Sequence, residues 1–244
     1  MTDKAAFQDV FQQYAKLASD DTLTEAEKTG RYSFHEISFD SIAKDISKKL
    51  DLRPDLSLLD VGSGAGDITF RLSPAPRRIT LNDHAEVLKR VKNLSQRQSI
   101  EIHAGNLLEL DSCLGPFDRI LCYSVLPILP EHAVFPAIDK LVGLLSIGGK
   151  LLIGDLPNID KKERFEISRE SKRVSIKKEF EAKRSSLASV DPVNSHERHF
   201  LFNDINNLKL ISYLRQKHCE AYLLPQPLEL PFGCTREDIL VVRL

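Results

Sequence analysis

The sequence predicts an α/β fold in which helices cover both faces of a twisted, mostly parallel sheet of seven strands. Short apolar segments alternate with amphipathic segments of helical period along the middle of the chain. Such alternation is typical of parallel strands joined by right-handed helical crossovers. The 244 residues, of which 42% are hydrophobic, supply enough apolar surface for one such domain with a small cap.

Net charge and cysteine usage exclude several classes of function. The net charge is −1, from 34 basic and 35 acidic residues, so nucleic acid is disfavoured as a partner. No apolar run approaches the ~20 residues of a membrane span, and the first residues lack the pattern of a signal peptide. The four cysteines are too scattered for a metal knuckle. We therefore expect a cytoplasmic protein with reduced thiols, no membrane partner and no metal site; the oligomeric state stays open.

The first fifty residues predict a helical N-terminal cap ahead of the sheet. Apolar residues recur at the spacing of one helical face within residues 5–17 and again within 37–50. Pro54 separates this second helix from the first strand. We therefore predict that residues 1–50 form the cap and residues 51–244 form the sheet domain.

Seven segments are predicted as strands, because each is a short apolar run bounded by turn-forming residues. In chain order they are residues 56–61, 78–83, 100–103, 117–123, 149–154, 218–224 and 239–243. Helices are predicted between them, most clearly at residues 85–94, 135–145 and 203–216. Asn203 or Asp204 is the expected N-cap of the last helix.

Residues 158–190 predict a basic helical insertion within the sheet domain. Between Lys161 and Arg184, 10 Lys and Arg residues stand against 5 Glu residues. Apolar residues such as Phe165 and Phe180 recur through the segment and indicate a helix lying on a surface. A solvated helical face is the ordinary interpretation of such a charge run, and recruitment of an anionic acceptor is the alternative.

The most informative segment is a glycine-rich turn after the first strand, Asp60-Val61-Gly62-Ser63-Gly64-Ala65-Gly66-Asp67. Glycines at alternate positions allow a tight turn and the close approach of a ligand. A helix beginning near Ile68 would add free N–H groups for an anionic or polar ligand. The dinucleotide fingerprint G-x-G-x-x-G/A requires a small residue at position 67, where this chain has Asp67. A nicotinamide oxidoreductase is therefore disfavoured.

The arrangement D-x-G-x-G-x-G resembles the first motif of class I S-adenosylmethionine-dependent methyltransferases. Later segments resemble that family in the same order, at residues 79–83, 105–108, 117–124 and 144–153. The resemblance covers about residues 56–155 and roughly the last forty residues. It implies a Rossmann-like methyltransferase fold whose last strand is antiparallel, with S-adenosylmethionine as the cofactor.

The resemblance also implies roles for individual residues at the cofactor. The glycines would pass close to its methionine part, and Asp60 would support the ammonium group. Asp83 would hold both ribose hydroxyls, the alternative being an N-cap of the next helix. Asn106 stands where the family usually has an acid beside the adenine, and an amide can still accept and donate there. The predicted cofactor-binding residues are Asp60, Gly62, Ser63, Gly64, Gly66, Asp83, His84, Asn106, Leu107 and Tyr123.

Methyl transfer is an in-line displacement, for which the enzyme holds the acceptor behind the methyl group. A hydroxyl acceptor often also needs a general base. Such a base is expected near the carboxyl ends of the fourth and fifth strands or in the cap. The predicted catalytic residues are His199, His196 and Asp155, ranked ahead of His35 and His132. His196 and His199 are separated by two residues, so they do not form the zinc motif HExxH.

The sequence as a whole predicts methyl transfer to a small-molecule acceptor through an oxygen nucleophile, with a sugar or another anionic metabolite as the candidate acceptor. The Asn/Asp-Pro-Pro-Tyr signature of amino-methylating DNA enzymes is absent, because Tyr123 and Ser124 end the fourth strand. The alternative is a regulatory module that binds S-adenosylmethionine without catalysis. Asn106 and the lack of an evident base motivate that alternative.

Overall fold

The protein folds into one β-sheet flanked by α-helices. The structure, a computed structural model, describes residues 39–91, 100–168, 199–230 and 232–244, together with the isolated residues 16, 20, 22 and 23. The predicted helix at 5–17, apart from residue 16, and residues 169–190 of the predicted insertion lie outside the described residues. In chain order the elements are α1 (Phe39–Leu50), β1 (Ser57–Val61), β2 (Arg78–Asp83), α2 (Ala85–Leu88), β3 (Ile100–Ala104), β4 (Phe117–Tyr123), α3 (Glu131–Gly143), β5 (Leu145–Pro157), α4 (Ile159–Ile167), α5 (Asp204–Gln216), β6 (Cys219–Pro225) and β7 (Arg236–Arg243).

The seven strands lie in the order β3-β2-β1-β4-β5-β7-β6. The first five in sequence are mutually parallel, whereas β7 is antiparallel to both β5 and β6. The predicted seven-stranded sheet with an antiparallel last strand is therefore confirmed. The strand order reverses between β1 and β4, and in open α/β sheets ligands bind beyond the carboxyl ends of strands at such a reversal.

Helices cover both faces of the sheet, as predicted. Successive side chains of a strand point to opposite faces. On β1, Leu58 packs in the same apolar cluster as α1, whereas Leu59 and Val61 pack with α3 and α5. All five residues of β1 are buried, as expected of a strand covered on both sides. Because α1 packs directly on the sheet, the domain boundary at residue 50 stays a prediction.

Two helices differ from their predicted bounds. The helix α2 ends at Leu88 rather than at residue 94. The helix α3 begins at Glu131, four residues before its predicted start, and contains Pro136. Proline has no N–H to donate to the carbonyl of His132, but His132 is exposed, so water can satisfy that carbonyl. The predicted start at residue 135 was wrong, because the helix accommodates Pro136 in its interior.

The helix α5 begins at its predicted N-cap, Asn203. The side-chain oxygen of Asn203 accepts a hydrogen bond of 2.8 Å from the N–H of Asn206. We expect Asn203→Ala to lower the free energy of unfolding by about 1 kcal/mol, the usual value of such a cap. Urea denaturation would measure this change, and Asn203→Asp, which keeps an acceptor, is the matched control. Equal stability of the alanine and aspartate variants would contradict the prediction.

Candidate cofactor and acceptor site

The glycine-rich turn lies at the reversal of strand order and touches the loop that follows β4. Gly62 has a φ of 70°, a left-handed conformation that favours glycine. A Cβ at Gly62 would lie 2.3 Å from Cγ2 of Val125, which follows β4. The turn after β1 and the loop after β4 are therefore in close contact here, and the contact leaves no room for a side chain at position 62.

Hydrogen bonds from the turn to the end of β2 fix its path. The N–H groups of Gly62 and Ser63 donate to the carbonyl of Asn82, at 2.8 and 3.1 Å. The N–H of Gly64 donates to Oδ2 of Asp83, at 2.8 Å. Two neighbouring strands thus hold the turn in place at the carboxyl edge of the sheet.

The α-helix predicted to begin near Ile68 is absent. A single 3₁₀ turn, Thr69–Arg71, follows the glycines. Pro74 and Pro76 come directly afterwards, and each lacks the N–H that a continuing helix would need. This part of the site therefore depends on turn backbone and side chains and not on a helix terminus.

Asp83 joins the turn to the next segment of chain. Its Oδ1 accepts from the N–H of His84 at 2.6 Å, and its Oδ2 accepts from Gly64. Burial raises the pKa of this carboxyl group, and the two N–H groups partly offset that effect. Each oxygen keeps a second lone pair, which is the capacity that two ribose hydroxyls would need.

The alternative role of Asp83 as a helix N-cap is wrong. The N-cap of α2 is His84, whose Nδ1 accepts from the N–H of Glu86 at 3.1 Å. An imidazole nitrogen that accepts a hydrogen bond is unprotonated at that atom. His84 therefore orders the chain beside Asp83, while a direct cofactor contact of His84 stays a prediction.

Asp60 is almost fully buried at the end of β1, with 4% of its surface exposed. The hydroxyl of Thr69 donates to its Oδ2. This contact ties the acid before the glycines to the short turn after them. The arrangement leaves a fixed carboxylate beneath the turn, where the resemblance implies the ammonium group of the cofactor.

Asn106 follows β3 and serves as a cap in the structure. Its Oδ1 accepts from the N–H of Leu108 at 2.9 Å and begins the 3₁₀ turn Leu107–Glu109. The side chain of Leu107 belongs to the apolar core. A contact of Asn106 with adenine stays a prediction, and it would have to use the second lone pair of Oδ1 and the amide hydrogens.

Sequence reasoning missed Asn82, which is buried at the edge where β2 meets β3. Its Nδ2 donates to the backbone carbonyls of His103 and Gly105, both at 2.9 Å. Its own backbone carbonyl accepts hydrogen bonds from the N–H groups of Gly62 and Ser63. A buried amide must be hydrogen-bonded, so a polar residue inside an apolar strand was the available signal.

Polar side chains also gather at the carboxyl ends of β4 and β5. The hydroxyl of Ser124 donates to Oδ2 of Asp155 at 2.6 Å. Nε of Arg236 lies 3.6 Å from Oδ1 of the same carboxylate. Ser124 and Asp155 both have a φ of 61°, and such strain in non-glycine residues often marks functional sites. Tyr123, a predicted cofactor residue, is buried directly before Ser124.

The predicted catalytic residues are only partly brought together. His199 pairs with Pro130, which precedes α3, in an isolated β-bridge. It therefore lies beside the loop after β4, whereas Asp155 lies at the end of β5. His196 and His35 lie outside the described residues, and His132 is exposed on α3.

The described residues also bear on the expected absence of metal and membrane segments. Within residues 39–91, 100–168, 199–230 and 232–244, no three His, Cys, Asp or Glu side chains cluster so as to hold a metal ion. Among the described helices, none combines the length and apolar character needed to cross a membrane. The four cysteines form no disulfide.

Comparison with known proteins agrees with this architecture. A family model described as a methyltransferase domain matches residues 58–149, from β1 into β5. No curated protein sequence matches. The N-methyltransferase NodS from Bradyrhizobium japonicum WM9, solved with S-adenosyl-L-homocysteine, has a TM-score of 0.60 at 15% identity; the match covers 96% of this chain and 98% of that one.

Other structures with the same fold act on different kinds of acceptor. The O-methyltransferase family 2 protein from Planctomyces limnophilus DSM 3776, solved with apigenin, has a TM-score of 0.54 at 22% identity, over 86% of this chain and 61% of that one. The small RNA methyltransferase HEN1 has a TM-score of 0.58 at 19% identity, over 83% of this chain and 25% of that one. This chain thus spans less than two thirds of either protein, and the likeness shows a common fold.

Proposed function

We propose that this chain transfers a methyl group from S-adenosylmethionine to an oxygen of a small-molecule acceptor. The match of a methyltransferase-domain model to residues 58–149 and the fold shared with S-adenosylmethionine-dependent methyltransferases support this proposal. The cofactor would lie along the glycine-rich turn, with Asp60 at its ammonium group and Asp83 at its ribose. A cytoplasmic location is part of the same proposal.

The Asp155 carboxylate at the end of β5 is the observation that carries the choice of oxygen. It already accepts a hydrogen bond from one hydroxyl, that of Ser124, at 2.6 Å. A hydroxyl of an acceptor in the same place would donate to the carboxylate and become a better nucleophile as its proton moves towards Asp155. We assign the general base to Asp155; His199 and His196 stay predictions.

The cations nearest this carboxylate favour an acceptor of modest negative charge. Arg236 lies beside Asp155 and begins β7. The described helix α4 carries three basic and three acidic residues and no net charge. One guanidinium suits a carboxylate or phosphate on a small molecule, whereas an extended nucleic-acid backbone needs many cations. Among the described residues, these charges favour a small anionic metabolite over RNA.

We expect Asp155→Asn to lower the rate of methyl transfer about 100-fold or more, as removal of a general base commonly does. The test is a screen with methyl-labelled S-adenosylmethionine against hydroxyl-bearing metabolites, amines and RNA. Glu109→Gln, which alters a carboxylate in the 3₁₀ turn after β3, is the control. Transfer to RNA or an amine, or an Asp155→Asn variant of full activity, would contradict the proposal.

The same screen tests the alternative, a cofactor-binding regulatory module without catalysis. Asn106, which stands in place of the usual acid, favours this alternative. A regulatory module would bind S-adenosylmethionine and label none of the acceptors. Label in any acceptor, lost in Asp155→Asn, excludes it.

A further inference from the structure

A fully buried carboxylate lies behind the carboxyl ends of β4 and β5, where Ser124 and Asp155 form what we call the acceptor edge of the site. Asp238, in β7, has no exposed surface. Its Oδ2 lies 2.6 Å from Nζ of Lys49, and its Oδ1 accepts from the N–H of Asp155 and from Nε2 of Gln226, both at 2.9 Å. Burial of an unpaired carboxylate costs several kcal/mol, so these three donors are what makes the position tenable.

The contact with Asp155 occurs where the pairing of β5 and β7 is interrupted. The register shifts between Ile153 and Leu156. Within that bulge the N–H of Asp155 bonds to the Asp238 side chain, and its φ is 61°. A bulge turns a side chain away from its regular direction, and here the Asp155 carboxylate meets Ser124 at the end of β4.

The same carboxylate reaches Tyr123 through Gln226. Nε2 of Gln226 also donates to the Tyr123 hydroxyl, at 3.2 Å. The tyrosine ring packs on Gly154 inside the bulge, where a Cβ would lie 2.4 Å from Cδ2 of Tyr123. Asp238 therefore holds both sides of the acceptor edge, the bulge of β5 and the last residue of β4.

Lys49 supplies the charge that balances Asp238. It lies in α1 and is 11% exposed, and its Nζ also contacts Oδ2 of Asp45 at 2.6 Å and the carbonyl of Pro225 at 3.0 Å. All three hydrogens of the ammonium group thus have acceptors. Lys49 joins α1 to the bulge across 189 residues of sequence.

We propose that Lys49 and Asp238 are positioning residues of the methyl-transfer site, which hold the Asp155 bulge and aim its carboxylate at the end of β4. The inference rests on the proposed function, because the sulfonium of S-adenosylmethionine lies at that place only if the cofactor binds as proposed. A carboxylate there favours S-adenosylmethionine over S-adenosylhomocysteine, because only the former carries the positive sulfur.

A double-mutant cycle tests this coupling through the ratio of the affinities for S-adenosylmethionine and S-adenosylhomocysteine, both measured by calorimetry. Asp155→Asn is introduced into three backgrounds. They are the unaltered protein, the double variant Lys49→Met/Asp238→Leu, and Lys48→Met. The double variant removes the buried pair without changing net charge and replaces it with apolar side chains that can pack. Lys48 is the matched control, because it is an exposed lysine of the same helix.

In the unaltered protein and in Lys48→Met, Asp155→Asn should lower the ratio by about fivefold, the upper end of what a single solvent-exposed charge pair contributes. In the double variant the same change should alter the ratio less than twofold, because Asp155 no longer points at the sulfur. An equal effect in all three backgrounds, or no effect in any, would overturn the inference. If Lys49 and Asp238 had a purely structural role, the double variant would have a lower melting temperature. Asp155→Asn would then lower the affinity ratio in it as much as in the other two backgrounds. If the unaltered protein binds neither ligand, the proposed function itself fails.

Discussion

Asp83→Ala is expected to weaken the binding of S-adenosylmethionine by about 1–3 kcal/mol, or roughly 5- to 150-fold, the cost of leaving polar partners unpaired. The Asp83 carboxylate accepts hydrogen bonds from the N–H groups of Gly64 and His84. Its removal would therefore release the glycine-rich turn as well as the ribose contacts. Calorimetric titration of both proteins with the cofactor measures the difference.

The control for this change is Asp111→Ala. The Asp111 carboxylate also accepts a hydrogen bond from a backbone N–H, that of Cys113, but Asp111 lies in the exposed turn before β4. Its removal should leave cofactor affinity unchanged. Asp83→Asn, which keeps one acceptor oxygen, should lose less affinity than Asp83→Ala. Equal cofactor affinity in the unaltered protein and in Asp83→Ala would move the ribose role elsewhere.

Acid should weaken cofactor binding for the same reason. Burial raises the pKa of the Asp83 carboxyl above its ordinary value. The ionised form accepts hydrogen bonds at both oxygens, so affinity is full above that pKa and falls as pH falls through it. The fall begins at a higher pH than an ordinary aspartate would give, and it should be missing from Asp83→Ala.

Gly62→Ala is expected to lower the free energy of unfolding by about 2–5 kcal/mol. A left-handed φ costs a residue with a Cβ roughly 1–2 kcal/mol, and overpacking adds about 1–3 kcal/mol. The added methyl would lie 2.3 Å from Cγ2 of Val125. Because both loops at the end of β1 and β4 must move, cofactor binding should weaken as well. Urea denaturation and calorimetry would measure the two effects.

Two other glycines separate the causes. Gly148 has a φ of 73° but open space around its added Cβ, so Gly148→Ala should cost only the conformational part, about 1–2 kcal/mol. Gly143 ends α3 with open space and no positive φ, so alanine there should be neutral or slightly stabilising. If Gly62→Ala lowered the free energy of unfolding no more than Gly148→Ala, the close contact between the loops after β1 and β4 would contribute nothing to the cost of the substitution, which would contradict the prediction.

Much of the fold could be predicted because local pattern and tertiary structure agree. The apolar runs that predicted β1 and β4 are buried on both faces, and Asn203 caps α5 as expected. The antiparallel last strand followed from the family resemblance and is confirmed. At the site, the order of the glycine-rich turn and Asp83 was sufficient to place them together at one edge of the sheet.

The sequence failed where distant parts of the chain decide local structure. No pattern links Lys49 to Asp238, because the two residues meet only once α1 packs beside β7. The N–H of Asp155 in the β5 bulge donates to the same Asp238 carboxylate, a second contact that no local pattern predicts. The helix predicted at Ile68 was wrong for another reason: nearby Pro74 and Pro76 leave room for one turn only before β2 begins.

Calorimetric titration of the folded protein with S-adenosylmethionine is the measurement that tests the central claim most directly. The glycine-rich turn, Asp60 and Asp83 predict saturable binding of one cofactor molecule per chain, weakened at least about fivefold in Asp83→Ala. Heat from binding in the unaltered protein and its loss in the variant would agree with the account. An absence of binding at millimolar cofactor, with the protein folded, would contradict it.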